Sequence, residues 1–305
     1  MPFTLGLPYP ACIAATRLAR KLHPTPQPPS RVDQKNYYLL QYRSSDRLLK
    51  RFASGIDLRD KVVLDLGSGL GGRAPWFIEQ GASSVFCVDI NRQELAEGNR
   101  IRRQLFPQFS ERIHYLHPSE IEQEQFADAV FLVDSFEHLR DPAAVLRQAY
   151  NWLRQQGVLW IGSVGWYNFI ASHVLSVIPI PWCQLIFSER AIIRTMSAIL
   201  HDADYAPTVW DRIDGLDRWD QVQTLKDRPG EPLNMLSLRQ AKAAVRSSNF
   251  EIVEFGTHGV SAEKSKLLNR LNALTALPVL DELLHKYYTV RARPARPPSR
   301  PATAS

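Results

Sequence analysis

The 305-residue sequence predicts an α/β fold: a doubly wound, mostly parallel sheet of seven strands with helices on both faces and a helical insertion after the fifth strand. Three observations carry that prediction. From Val62 to Gly162, short and nearly continuous apolar runs alternate with helical patterns, the rhythm of strands buried on both faces. The first run passes directly into a glycine-rich turn that opens a helix. After a break the same rhythm resumes at residue 237 and continues to 293.

Residues 1–32 form a basic N-terminal segment, with Arg17, Arg20, Lys21 and Arg31 and no acid. Its Pro10–Leu22 stretch reads as a helix, in the manner of an organelle transit peptide, a membrane-surface helix or a helix packed on the body. Pro24, Pro26, Pro28 and Pro29 then make a stiff linker. Between Asp33 and Phe52, apolar spacing at Tyr37, Tyr38, Leu40, Tyr42, Leu48, Leu49 and Phe52 predicts one or two helices. In the core, residues 33–163, strands are expected at Val62–Leu66, Ser84–Ile90, Arg112–Leu116, Ala129–Val133 and Val158–Gly162. Helices are expected at Ala74–Gln80, Arg92–Leu105 and Pro142–Arg154. Residues 164–236 are a helical and irregular insertion holding Trp166, Trp182, Trp210 and Trp219, four of the seven tryptophans, so aromatic surface is concentrated there. Residues 237–293 complete the sheet with helix Ser237–Ser248 and strands Phe250–Phe255 and Lys286–Arg293. The Pro-, Arg- and Ala-rich stretch 294–305 reads as a disordered basic tail.

The net charge of +6 belongs to the ends: residues 1–32 and 291–305 each hold four cations and no acid, so the body between them is slightly acidic. That distribution disfavours nucleic acid as a substrate and leaves RNA or an anionic membrane as possible contacts of the ends. The most apolar stretch, Val174–Phe187, is too short and too interrupted by Pro179 and Pro181 to cross a bilayer. Cys12, Cys87 and Cys183 show no paired or metal-ligand spacing, and the first 23 residues lack the pattern of a secretory signal. A reduced, cytoplasmic setting fits both.

The decisive stretch is Val62-Val63-Leu64-Asp65-Leu66-Gly67-Ser68-Gly69-Leu70-Gly71-Gly72. Residues without Cβ let a ligand approach the backbone, and the carboxyl edge of a parallel sheet is where ligands bind. Gly67, Gly69 and Gly72 also satisfy the GxGxxG fingerprint of dinucleotide binding, so a NAD(P)-dependent oxidoreductase is a rival reading. Asp65 tilts the choice, because its carboxylate repels a pyrophosphate and attracts an ammonium group. Asp89, ending the second strand 22 residues beyond Gly67, suits the two hydroxyls of a ribose. It equally suits a turn that caps the helix starting at Asn91, and both roles stay open.

Asp65-Leu66-Gly67-Ser68-Gly69-Leu70-Gly71 resembles motif I of the class I S-adenosylmethionine (SAM) dependent methyltransferases. The other landmarks follow in order. Asp128 to Leu139, ending in Glu137-His138-Leu139, is similar to the fourth-strand motif of the ubiquinone-biosynthesis and small-molecule group. Arg154 to Ile161 is similar to the turn and fifth strand, with Gln156-Gly157 where Pro-Gly is usual. The similarity spans residues 58–163 well and 237–293 loosely. It implies a Rossmann-like methyltransferase fold with S-adenosyl-L-methionine as cofactor. Ile180-Pro181-Trp182 and Phe187-Ser188-Glu189-Arg190 resemble a lid found after the fifth strand in bacterial relatives.

The resemblance further implies that Gly67, Ser68 and Gly69 lie along the methionine part of SAM, that Asp89 and Ile90 hold the adenosine, and that Ser119 and Glu120 approach the adenine. Asp134 and Ser135 would back the methionine carboxylate and sulfonium, although Asp134 also reads as a plain strand-end cap. A base is needed only where the acceptor is a hydroxyl or an acidic carbon. His138 stands where an acceptor would approach, and an imidazole with an unperturbed pKa of about 6.5 suits proton removal. A packing role for His138 is the competing reading, and His173 and His201 are alternatives. The tryptophans of 164–236 fit either an apolar or aromatic acceptor pocket or the insertion's own core. No Asn/Asp-Pro-Pro-Tyr, Pro-Cys or paired-glutamate loop is present, which leaves a small-molecule acceptor, with O-methylation favoured. A SAM-binding protein without turnover is the alternative.

Overall fold

The computed structural model describes residues 4–22, 33–172, 174–202, 222–227, 232–259, 277 and 280–295. The strands among them are β1 (Val62–Leu66), β2 (Ser84–Val88), β3 (Ile113–Leu116), β4 (Ala127–Val133), β5 (Leu153–Ser163), β6 (Phe250–His258) and β7 (Tyr287–Pro294). They form one sheet in the order β3-β2-β1-β4-β5-β7-β6. The first five are parallel, whereas β7 runs antiparallel to both β5 and β6. This is the seven-stranded, mostly parallel sheet that the sequence predicts. Strand order reverses between β1 and β4, which creates a crevice at their carboxyl ends.

The described helices are α1 (Tyr9–Leu22), α2 (Gln34–Phe52), α3 (Ala74–Glu79), α4 (Arg92–Leu105), α5 (Pro142–Trp152), α6 (Val174–Val177), α7 (Cys183–Ile186), α8 (Glu189–Leu200), α9 (Leu238–Ser247) and α10 (Leu280–Leu284). Successive side chains along a strand face opposite ways, so each buried strand feeds two cores. Leu64, Leu66, Val130 and Leu132 pack with Leu146 and Trp152 of α5 and Val245 of α9. Val63, Val85 and Phe131 pack with Leu49 of α2 and Trp76 and Phe77 of α3. Local chemistry sets the helix starts: Asn91 accepts from the amides of Gln93 and Glu94, Asp141 from Ala144, and Ser237 forms a capping box with Gln240.

Residues Asp33 to Phe52 form a single helix behind an Asp33 cap. The fifth strand departs from expectation. The α5 helix stops at Trp152 and β5 starts at Leu153, five residues earlier than Val158. Backbone partners explain the change: Gln125 and Phe126 donate to the carbonyls of Asn151 and Trp152, and Ala127 pairs with Leu153. Leu153 is buried and Arg154 turns outward to Asp128 at 2.7 Å, so Arg154, expected at the end of the helix, and Gln155 and Gln156, expected in a turn, all lie on strand.

The described part of the insertion has its own core, built from Trp166, Val174, Val177, Phe187, Ile192 and Met196 among others. Helix α1 completes that core with Cys12 and, around it, Tyr9 and Ile13. The backbone ties the two together, with Leu5 and Leu7 donating to the carbonyls of Leu185 and Ile186. The Arg194 guanidinium sits 4.4 Å from the Tyr9 ring, and Arg20 donates to the Val177 carbonyl. The proline linker, Trp210, Trp219, His173 and the tail beyond Ala295 lie outside the described residues. No described helix is long and apolar enough to cross a membrane.

Candidate functional site

The crevice is floored by the loop that leaves β1. Gly67 and Gly69 hold left-handed backbone angles, with φ of +75° and +56°. The amides of Gly67 and Ser68 both donate to the Val88 carbonyl, which pins the loop across the end of β2. A Cβ on Gly67 would stand 2.6 Å from the Ser135 Cβ, so at this position a side chain from β4's end, rather than a ligand, occupies the space that glycine leaves. Ser135 is buried and its hydroxyl donates to the Leu66 carbonyl at 2.9 Å. The third fingerprint glycine, Gly72, answers to packing against α2, since its Cβ would meet the Tyr38 carbonyl.

Three acids converge on this loop from three strands. Asp65 is fully buried, and burial, reinforced by Asp89 and opposed by Arg73, pushes its pKa up to about 6. Its Oδ2 has no hydrogen-bond partner among the described residues, and neither do the buried Ser68 hydroxyl and Arg73 Nε. Buried polar atoms without partners are expensive, so this grouping fits a ligand that carries both donors and acceptors. Asp134 ends β4 in a left-handed conformation, φ +53°, and accepts from Arg73 at 2.9 Å. Burial works against the Arg73 cation, but Asp134 and Asp65 outweigh it and keep the guanidinium charged.

Of the two roles that the sequence left open for Asp89, the structure shows the turn that leads into α4. The Asp89 Oδ1 accepts from the Asn91 amide and its Oδ2 from the Gly69 amide, each at 2.8 Å, so it braces the loop against the start of α4. Each carboxylate oxygen retains a second lone pair for a sugar hydroxyl. Beside it, Ile90 is 81% exposed, an aliphatic surface at the crevice rim. Arg92 ties this rim to the turn after β3, donating to Glu120 at 2.6 Å and to Ser119 at 3.3 Å. Glu120 also accepts from the His117 amide, and the Arg92 bond, helped by this second one, holds its carboxyl below the usual range.

On the opposite side, Phe136–His138 forms a short turn after β4. The returning end of the insertion clamps it: Asn234 donates to the carbonyls of Phe136 and Glu137, and His138 Nδ1 lies 3.0 Å from the Pro232 carbonyl. A carbonyl can only accept, so Nδ1 carries the hydrogen, and in the neutral ring the basic nitrogen is Nε2. His201 is spent on its own helix, its Nδ1 against the Ser197 carbonyl.

Several residues here were not anticipated from the sequence. Arg73 is the buried cation at the centre of the acids. Tyr287 enters because β7 is antiparallel, which brings its first residue to the carboxyl edge of β5. Its hydroxyl is raised far above the usual range by burial, then by Asp134 and Glu137. His285 stands directly against Gly165, where a Cβ would reach within 2.4 Å of Nε2, and burial pushes its pKa down to about 4. A signal for Arg73 existed in the sequence, since three acids at strand ends around one loop call for a countercharge.

A family model described as a methyltransferase domain matches residues 37–254. The ubiquinone biosynthesis O-methyltransferase of Neisseria meningitidis serogroup C is 32% identical over 111 residues, covering 35% of this chain and 46% of that protein. The match thus spans less than half of that relative's length. Among solved structures, a SAM-dependent methyltransferase from Mesorhizobium loti aligns at 16% identity over 83% of this chain and 97% of its own, with a TM-score of 0.48. Phosphoethanolamine N-methyltransferase 2 of Haemonchus contortus, solved with SAM, aligns at 14% identity over 86% of this chain and 57% of its own, with a TM-score of 0.49. With the family model running from α2 into β6, across the glycine loop and all three acids, the chain belongs to the methyltransferase domain family.

Proposed function

We propose that this enzyme methylates a hydroxyl of an apolar or aromatic small molecule. The observation that carries the donor half of this reading is the buried Asp65 with its unpartnered Oδ2 beside the charged Arg73. SAM, when bound, supplies an electrophilic methyl on a sulfonium. Asp65 then accepts from the ammonium of the donor, and Arg73 and the Ser68 hydroxyl face its carboxylate. Asp89 would hold the ribose hydroxyls, and Ile90, Ser119 and Glu120 would border the adenine. Asp134 and Ser135 shape the wall next to the sulfur. A pyrophosphate would meet the Asp65 carboxylate instead of a cation, which counts against a nicotinamide cofactor.

For the acceptor half, support comes from His138. The Pro232 carbonyl fixes its tautomer so that Nε2 is the nitrogen able to take a hydroxyl proton. Displacement at a methyl carbon is accelerated chiefly by alignment and exclusion of water, which the insertion's apolar residues would provide. The distant similarity to a ubiquinone O-methyltransferase agrees with a hydroxyl acceptor. Two measurements test the reading. S-adenosylhomocysteine should raise the melting temperature while NAD and NADP do not. Incubation with SAM and a panel of phenols, amines and carboxylic acids should give the mass gain of one methyl group on phenols. A shift with NAD alone defeats the donor assignment, and methylated amines with untouched phenols defeat the acceptor assignment.

A further inference from the structure

We propose that α1 is a docking surface for an anionic lipid bilayer. One side of this helix completes the insertion's core, burying Cys12 and Thr16. The other side is exposed at Pro10, Ala14, Arg17, Leu18, Lys21 and Leu22, positions that share one stripe at helical spacing. That outward stripe holds leucines, small residues and cations, and no acid. A solvent-facing stripe on a soluble body is ordinarily polar and of mixed charge, whereas an interfacial helix carries this mixture of aliphatic and basic residues.

The exposed leucines are not scattered. Of the seven large hydrophobics exposed among the described residues, Leu5, Leu7, Leu18 and Leu22 all belong to this N-terminal segment, with Leu18 59% and Leu22 65% exposed. Single exposed leucines are normal, but Leu18 and Leu22 stand one helical turn apart on the same outward stripe of α1, a contiguous apolar strip rather than isolated exposure. Charge chooses the partner. Arg17 is 58% exposed and meets Asp202 only at 3.5 Å, Lys21 is exposed, and Arg194 of α8 is exposed where it stands over Tyr9. These cations beside aliphatic side chains complement anionic headgroups over an acyl boundary. RNA would be gripped by cations with stacking aromatics, and the stripe offers aliphatic leucines instead.

The attachment is mechanically firm. Strand-like bonds from Leu5 and Leu7 to Leu185 and Ile186, and the Arg20 bond to Val177, fasten α1 to the insertion. The insertion in turn leaves β5 at Ser163 and returns over Phe136–His138 at Pro232–Asn234. A bilayer held on α1 is therefore connected, through the insertion, to the Phe136–His138 turn that carries the acceptor half of the proposed function. The docking surface itself does not depend on which acceptor the enzyme uses.

The test is flotation of the full chain with phosphatidylcholine vesicles, with and without phosphatidylglycerol. The wild type should float with the anionic vesicles and not with the neutral ones, and added salt should weaken the binding. Leu18→Ser/Leu22→Ser should abolish flotation. Arg17→Gln/Lys21→Gln should weaken partitioning roughly thirtyfold, about fivefold per cation. An unchanged S-adenosylhomocysteine melting shift certifies that each variant is folded. Failure of the wild type to float with anionic vesicles overturns the proposal, as does undiminished flotation of both variants. A concentration-dependent dimer that the leucine variant loses would make the occupant a second copy of the chain, and tighter binding to RNA than to vesicles would make it RNA. Either result rejects the bilayer.

Discussion

Arg73 reaches from the loop after β1 to Asp134 at the end of β4, donating at 2.9 Å, and so stitches together the two strands that flank the crevice. Its guanidinium is buried, and the second acid, Asp65, depends on the same positive charge. Arg73→Met should lower the unfolding free energy by about 3 kcal/mol, the scale for removing one partner of a buried pair. It should also erase the thermal shift given by S-adenosylhomocysteine. Urea titration of this variant beside Arg73→Met/Asp134→Asn checks the pairing, because the double variant should recover part of the loss.

Asp65 carries a pH signature. Its folded pKa of about 6 lies above the ordinary carboxylate value, so the folded protein binds the proton more tightly than the unfolded chain. Ionising it therefore removes stability as pH rises from about 4 to about 6. Asp65→Asn should make the ligand-free protein more stable by up to about 3 kcal/mol above pH 6 and leave it unchanged at pH 4. Donor affinity should move the opposite way, lost in the variant and, in the wild type, falling about tenfold per pH unit below 6. Calorimetric titration with S-adenosylhomocysteine across that range checks both.

Gly67→Ala combines a left-handed backbone with a methyl driven against Ser135. A loss of about 2 to 3 kcal/mol is expected, of which roughly 1 kcal/mol is the backbone preference. In Gly67→Ala/Ser135→Gly the clash is removed while the backbone term stays. A double-mutant cycle by chemical denaturation should show a coupling above about 1 kcal/mol.

His138→Ala should reduce kcat on a hydroxyl acceptor about a hundredfold or more while the S-adenosylhomocysteine melting shift stays intact. The pH profile separates proton removal from packing. The acidic limb of kcat present in the wild type should vanish in the variant.

His285 works on stability in the acid range. Burial lowers its pKa to about 4, so protonation is resisted in the folded state, and the stability present above about pH 6.5 is lost as pH falls toward 4. His285→Phe should flatten the decline of melting temperature over that window, by an amount equivalent to about 3 kcal/mol.

Much of the sheet was legible because strands buried on both faces leave uninterrupted apolar runs. Val62–Leu66 and the helix Arg92–Leu105 fall on the residues that periodicity marks. Leu153–Gly157 was not legible, since Arg154, Gln155 and Gln156 carry no apolar pattern and their strand is imposed by the backbone of Gln125–Ala127. The direction of β7 was hidden for a related reason. A run of alternating residues is the same read from either end, and only pairing with β5 and β6 decides which end meets the crevice. Asp65 and Asp89 were recognisable from their place after apolar strands. Arg73 was overlooked, because an arginine after a glycine turn looks like ordinary surface charge unless the three strand-end acids around it are taken together.

The antiparallel β7 has a consequence for how the enzyme is made. Its partner β5 is synthesised some 130 residues earlier, and the wall that Tyr287 contributes arrives with the last of the described strands. A growing chain on the ribosome can lay down the glycine loop and its acids well before the crevice is walled in. An interrupted product ending before Tyr287 would hold the glycine loop and its acids and yet lack β7 and the wall it contributes, so the loop and the closed crevice become available at different times.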